Sequence, residues 1–166
     1  MAVINMLPQS GGGNVLPNDV ITSGVLNSKA TPYIVDGVMS QNSGYYRLQT
    51  NGNNTTIVGF PQSVDLTRKS RIVLMISQAR SWQRSNTFVS VLGVGRNQPW
   101  KNPAIEARFS FFDASAAISA SEGTIYNDLT ITLDVSSLAG FYFVAITLSG
   151  TGNYSGYYNI TDLYIE

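Results

Sequence analysis

Trp82 and Trp100, the only two tryptophans, both stand in polar stretches: Arg80-Ser-Trp82-Gln83-Arg84 and Asn97-Gln-Pro-Trp100-Lys-Asn102. An indole presented from a loop offers a flat apolar face that can stack on the axial hydrogens of a sugar ring, while guanidinium and amide groups beside it bind hydroxyls. Trp82, Trp100, Arg80, Gln83, Arg84 and Asn102 are therefore the candidate ligand-binding residues, and carbohydrate is the ligand they suit. The competing reading is that each indole closes one end of a hydrophobic core, since large aromatics are usually buried. The C-terminal tyrosines Tyr142, Tyr154, Tyr157, Tyr158 and Tyr164 suit a sugar groove or a subunit interface, but also ordinary sheet surface or core, because strands favour Tyr.

Catalytic chemistry has little to work with. The chain has no His and no Cys, which removes Ser-His and Cys-His triads, the usual general base, zinc-thiolate sites and disulfides. A Ser or Thr nucleophile would need Lys29, Lys69 or Lys101 as its base, and none lies in a catalytic motif. Glycoside hydrolysis needs two carboxylates across one bond, and the acidic residues show no local pairing, although Glu122 and Asp134 could meet in space. The expectation is a protein that is not an enzyme and has no cofactor. Asp36, Asp65 and Asp162 are too scattered to assign a calcium ion, which takes six to eight oxygens.

The elements that position these residues are strands. From about Asp19 onward apolar residues recur with period two in short segments bounded by Gly, Asn, Ser and Pro. Ile72, Leu74 and Ile76 share a face; so do Val89 and Val91, against Phe88 and Leu92; so do Phe109 and Phe111. Leu129, Ile131, Leu133 and Val135 alternate with Thr130, Thr132 and Asp134, as a half-buried strand requires. Phe141 to Leu148 is apolar on both faces, which predicts a central strand covered on each side or adjoining a partner. Asn51-Gly52 and Asn153 to Gly156 read as turns. Asp113 to Glu122 could make one helical turn, or a polar strand or loop. About ten short strands at this spacing predict an all-β, single-domain antiparallel β-sandwich of jelly-roll type spanning residues 19 to 166. Gly11-Gly12-Gly13, followed by Pro17, sets residues 1 to 18 apart as a flexible N-terminal arm.

The 166 residues carry ten basic and ten acidic side chains, 12% of the chain together. That balance gives no drive toward nucleic acid, and an Arg-rich middle with Trp82 and Trp100 does not outweigh it. Eight of the basic residues are Arg68, Lys69, Arg71, Arg80, Arg84, Arg96, Lys101 and Arg108; beyond them lie only acidic charges, from Asp113 to Glu166. Strands from the two regions can neutralise each other when paired. The opening Met1 to Ser10 is too short and uncharged for a secretory signal, and no apolar run is long enough for membrane insertion. The Asn-x-Ser/Thr matches at Asn53, Asn54, Asn153 and Asn159 are therefore not expected to be used.

Two segments resemble carbohydrate-binding-module-like jelly rolls. The first runs from Tyr45-Tyr46-Arg47-Leu48-Gln49-Thr50 through Val58 to Thr67 and Arg71 to Ala79, with Gln62, Val64 and Leu66 in that family's Q-x-V-x-L element. The second is Phe141 to Leu148 followed by Tyr157 to Ile165, where Ile160, Asp162, Leu163 and Ile165 approximate its closing I-D-x-I/L pattern. The matches cover about half of the chain. The opening Ala2-Val3-Ile4-Asn5-Met6-Leu7-Pro8 with triple Gly is similar to the starts of bacteriophage virion proteins, tail-associated ones above all. The resemblances imply a non-catalytic module on a tail or capsid appendage that recognises host-surface glycan through loop aromatics. Its expected partners are other virion proteins and further copies of itself, in a homo-oligomer. It would be assembled in the host cytoplasm and carried on the virion after lysis. Two other functions fit the same residues: a purely structural virion or decoration protein packing through Phe141 to Leu148, and a bacterial carbohydrate-binding module.

Overall fold

Alternating apolar residues pair into sheets when each strand can bury one face, and the chain does this in two layers. In a computed structural model of the chain, residues 15 to 50, 56 to 80, 87 to 97, 112 to 120, 124 to 148 and 156 to 166 are described. They form β1 (Asp19–Thr22), β2 (Val25–Leu26), β3 (Tyr33–Val35), β4 (Gly37–Asn42), β5 (Tyr45–Thr50) and β6 (Thr56–Asp65). The second half forms β7 (Arg71–Arg80), β8 (Thr87–Gly95), β9 (Ala114–Ala120), β10 (Ile125–Asp134), β11 (Phe141–Leu148) and β12 (Tyr157–Ile165). No helix occurs among the described residues.

One sheet has seven strands in the order β10-β7-β12-β1-β2, with β5 also beside β12 and β4 beyond β5; the other runs β3-β6-β11-β8-β9. All strand pairs are antiparallel. The result is the expected all-β jelly-roll-type sandwich. The two layers exchange a strand at Asp36, whose positive φ of 55° turns the chain from β3 in one sheet to β4 in the other. Thr56 Oγ1 donates to the Asp36 carbonyl at 2.7 Å and fixes that corner.

Between the sheets lies one continuous core, with Phe60, Leu48, Leu66, Ile72, Leu74, Ile76, Leu92, Ile146 and Leu148 fully enclosed. Burying each such side chain is worth about 1.5 to 3 kcal/mol. Strand β11 is buried on both faces: Val144 and Ile146 enter the core, while Phe143 and Ala145 pack with Ile57 and Phe112 on the far side. The stretch read as a possible subunit surface is thus covered by the chain itself. Within the segment Asp113 to Glu122, Ala114–Ala120 forms strand β9 and not a helical turn; Glu122 lies outside the described residues. Gln62, a member of the Q-x-V-x-L element, is buried and clamps the preceding loop. Its Oε1 accepts from the Thr31 amide at 2.7 Å and its Nε2 donates to the Lys29 carbonyl.

Two turns at one end of the sandwich use the same short motif, Asp65-Leu66-Thr67 and Asp134-Val135-Ser136. In each the carboxylate accepts the amide two residues on, at 2.9 Å, and the middle residue is fully buried. The turns interlock: Leu66 N donates to Gly140 O, Gly140 N to Thr67 Oγ1, and Val135 N to Ser70 O. Hydrogen bonds from Thr67 hold the Asp65 carboxyl below its ordinary 3.8, and those from Ser136 do the same for Asp134. A carboxyl that titrates lower when folded adds stability that is complete above its unfolded value and vanishes as pH falls through the folded one. The melting temperature should therefore drop as pH is lowered below about 4, and the Asp65→Asn, Asp134→Asn double variant should show a shallower drop in a thermal-melt series from pH 6 to pH 2.

Of the arm expected at residues 1 to 18, only residues 15 to 18 are among those described. Val15 bridges Ser63, and Leu16 is 1% exposed, its amide donating to the Ser63 carbonyl at 2.7 Å. These residues pack as part of the sandwich. Deletion of residues 1 to 18 removes a fully buried leucine and should lower stability by about 2 kcal/mol or more, read as a fall in the denaturant midpoint.

Candidate functional site

The outer face of the seven-stranded sheet presents a constructed row of side chains. Its origin is a shift in which residues face inward. In β7 the inward positions pass from Ile72, Leu74 and Ile76 to Ala79; in β12 from Ile165 and Leu163 to Ile160 and Tyr158; in β10 from Leu133 and Ile131 to the half-buried Tyr126. The three shifts fall at the same level, around Ser77, Thr161 and Asp128, and Asp128 has a φ of 52°. Beyond it the register is regular across five strands. The inward row is Met39, Leu48, Tyr158, Ala79 and Tyr126, each buried in or packed on the core.

Two outward rows flank that inward one. The first is Ser40, Arg47, Asn159, Gln78 and Asn127; the second is Val38, Gln49, Tyr157, Arg80 and Ile125. Crossing five strands, each row spans about 19 Å at the usual spacing between strands. The side chains form a linked network. Arg47 Nε donates to Asn159 Oδ1 at 2.9 Å, and its guanidinium carbon lies 4.4 Å from the Tyr157 ring centroid and 5.6 Å from that of Tyr45. The Tyr157 hydroxyl donates to Gln78 Oε1 at 2.8 Å, and Gln78 Nε2 donates to Asn127 Oδ1 at 3.3 Å. Cation–π contact and amide bonds of this kind lock the rotamers before any ligand arrives.

Backbone structure supports the platform from one end. Thr50 and Gly156 exchange bonds, Thr50 N to Gly156 O at 3.0 Å and Gly156 N to Thr50 Oγ1 at 2.9 Å, which fixes where β5 meets β12. At the other end the β4–β5 hairpin rests on Gly24, where φ is 77° and an added Cβ would run into the backbone of Gly44 and Tyr45. Beside the rows, at the level of the shift, lies a cleft of about 130 Å³ lined by Met75, Ser77, Asp128, Leu129, Thr130 and Thr161.

Neither row contains a carboxylate. The ion pair among the described residues is Arg71 with Glu166, on the far part of the same sheet. That contact is a neutralisation between the basic middle and the acidic C-terminal third, as charge placement suggested, and Asp134 sits opposite Arg71 on β10. Asp36, Asp65 and Asp162 do not gather: Asp65 binds Thr67, Asp162 Oδ1 accepts from Ser23 N at 3.1 Å, and Asp36 stands at the corner between sheets. Among the described residues no three metal-ligating side chains come together.

Of the residues selected from sequence, Arg80 lies in the second row, next to Tyr157. Trp82, Gln83, Arg84, Trp100 and Asn102 lie outside the described residues. Tyr142 and Tyr158 are 4% and 3% exposed core residues, and burial pushes the Tyr158 hydroxyl far above its ordinary range. Tyr157, the residue before Tyr158, is on the outer face. Arg47, Gln78, Asn127 and Asn159 were not singled out, because a cross-strand row has no linear signature: its five members come from strands up to 119 residues apart, from Ser40 to Asn159.

The chain is an all-β sandwich of jelly-roll type with an ordered polar and aromatic row on one outer sheet face, and solved structures of the same fold are known. The chain is similar to a family 29 carbohydrate-binding module from Piromyces equi, with a TM-score of 0.51 at 17% identity over 89% of this chain and 87% of that one. A family 29 module variant solved with cellulohexaose gives a TM-score of 0.54 at 12% identity, covering 89% and 88% of the two chains. Another, solved with mannohexaose, gives 0.51 at 10% identity, covering 89% of each. These likenesses establish the jelly-roll-type fold. No protein-family model matches the sequence, and no curated protein does.

Because the row lies on the outer face and not in the core, removing its members should leave the fold intact. Tyr157→Phe and Gln78→Ala are each expected to change stability by less than about 1 kcal/mol, checked by chemical denaturation. A collapse of the fold in either would show that the network is structural.

Proposed function

We propose that the chain is a non-catalytic carbohydrate-binding module whose outer sheet face receives an extended saccharide across the rows of Arg47 and Tyr157. The observation that supports this most directly is the fixed geometry of that face: an arginine stacked on a tyrosine, flanked by amides, along a strip about 19 Å long. Amide and guanidinium groups match the hydroxyls of a sugar, and a tyrosine ring offers it a stacking surface. The fold adds support, since family 29 modules of the same fold were solved with cellulohexaose and mannohexaose. The rows contain no carboxylate, whereas glycoside hydrolysis needs two.

This reading favours the simpler of the alternatives drawn from the sequence, a carbohydrate-binding module, over a phage appendage. A virion setting and partner virion proteins rest on the resemblance at residues 2 to 13, and a homo-oligomer on the apolar and tyrosine-rich C-terminal segments; none has support in the fold or its likenesses. The structural reading loses its main surface, because Phe143 and Ala145 are buried within the chain. Trp82 and Trp100 remain candidates for additional stacking.

A glycan-array screen of the purified protein tests the proposal, with Tyr157→Ala, Arg47→Ala, Trp82→Ala and Trp100→Ala run in parallel and oligomeric state followed by light scattering. Binding by the parent and a loss of about tenfold or more in Tyr157→Ala, at unchanged melting temperature, is the expected result. Binding that survives Tyr157→Ala and Arg47→Ala but disappears with Trp82→Ala would move the site off the rows. No binding to any glycan would end the carbohydrate reading.

A further inference from the structure

Resting on the reading just proposed, we infer that the saccharide is acidic, with a uronate carboxylate received by the Arg47 guanidinium. Arg47 has its Nε committed to Asn159 and its plane stacked on Tyr157. A guanidinium oriented in this way keeps its terminal nitrogens for a planar two-oxygen acceptor, which a carboxylate matches as a fork. Among the described residues Arg47 has no carboxylate partner, and every other member of its row is neutral. Arg80 puts a second positive charge two strands away in the adjoining row.

Among the described residues, the acidic groups of this sheet stand away from Arg47. Asp128 follows Asn127 at the opposite end of the row, about 14 Å away across three strand spacings. Asp162 lies further along β12, at the register of Met75, and its Oδ1 is held by the Ser23 amide. A neutral glycan would leave the charge of Arg47 facing sugar hydroxyls only, a weaker hydrogen bond than one to an anion. A cation fixed between two aromatic rings and supported by an amide is a recognition group for an anion, and the rows around it supply the hydroxyl contacts of the rest of the chain.

The deciding experiment is affinity electrophoresis or calorimetry with the full chain against polygalacturonate, the same polymer fully methyl-esterified, dextran sulfate, and the neutral hexasaccharides of glucose and mannose. Parent protein, Arg47→Ala and Arg47→Lys are compared, each after a thermal melt. The expected result is polygalacturonate bound about tenfold or more tighter than its methyl ester, a preference lost in Arg47→Ala and reduced in Arg47→Lys. Should Arg47→Ala not fold, Arg47→Lys still reads the preference, because it keeps the charge and loses the fork. Neutral hexasaccharides binding as tightly as polygalacturonate would overturn the acidic assignment and leave the carbohydrate reading standing. Dextran sulfate binding as tightly as polygalacturonate would overturn the carboxylate in favour of anionic charge alone. Absence of binding to every saccharide would overturn both.

Discussion

Strand β12 must satisfy hydrogen bonds on both of its edges along nine residues, and the seven-stranded sheet is organised by how it does so. One edge is taken by β7 throughout, from Tyr157 opposite Arg80 to Ile165 opposite Ile72. The other is shared, with β5 covering Tyr157 to Ile160 and β1 covering Leu163 and Tyr164. Two partners on one edge require a junction, and the junction falls at Thr161, whose carbonyl accepts from the Gly24 amide at 2.7 Å. The inward face of the strand changes there as well. Every feature of the outer face follows: β5 is brought into register with β7 through β12, so Arg47, Asn159 and Gln78 align although no two of the three share a strand.

That alignment separates what the sequence displays from what it conceals. Period-two alternation displayed the strands well: Ile72, Leu74 and Ile76 are buried, and Ile131, Leu133 and Val135 are buried while Thr130, Thr132 and Asp134 are exposed. The doubly apolar Phe141 to Leu148 was legible as a strand covered on both faces, for the same reason. The resemblance at Tyr45 to Ala79 and at Tyr157 to Ile165 marked strands β5, β6, β7 and β12, three of which build the outward rows.

The candidate site was less legible, for a physical reason. Sequence reading favours residues that look unusual beside their neighbours, and Trp82 and Trp100 do. Arg47 and Gln78 do not; each is one polar residue in an alternating strand, and only register gives it companions. The tyrosine-rich C-terminus shows the difficulty within two adjacent residues. Tyr157 and Tyr158 have the same side chain and opposite fates, one over an arginine at the surface and one in the core, decided by the parity of a strand that changes face four residues later.

The positive φ of Asp128 has a consequence for how the molecule avoids its own kind. Among the described residues strand β10 is the last in its sheet, and an edge of ten residues left without a partner is a template on which another chain could add a strand. A left-handed residue within that edge interrupts its regular pleat and divides the template into stretches of three and six residues. The same kink that resets the pleat for the outward rows thus shortens any template the edge of β10 offers to another chain, where a formal net charge of zero supplies no electrostatic repulsion.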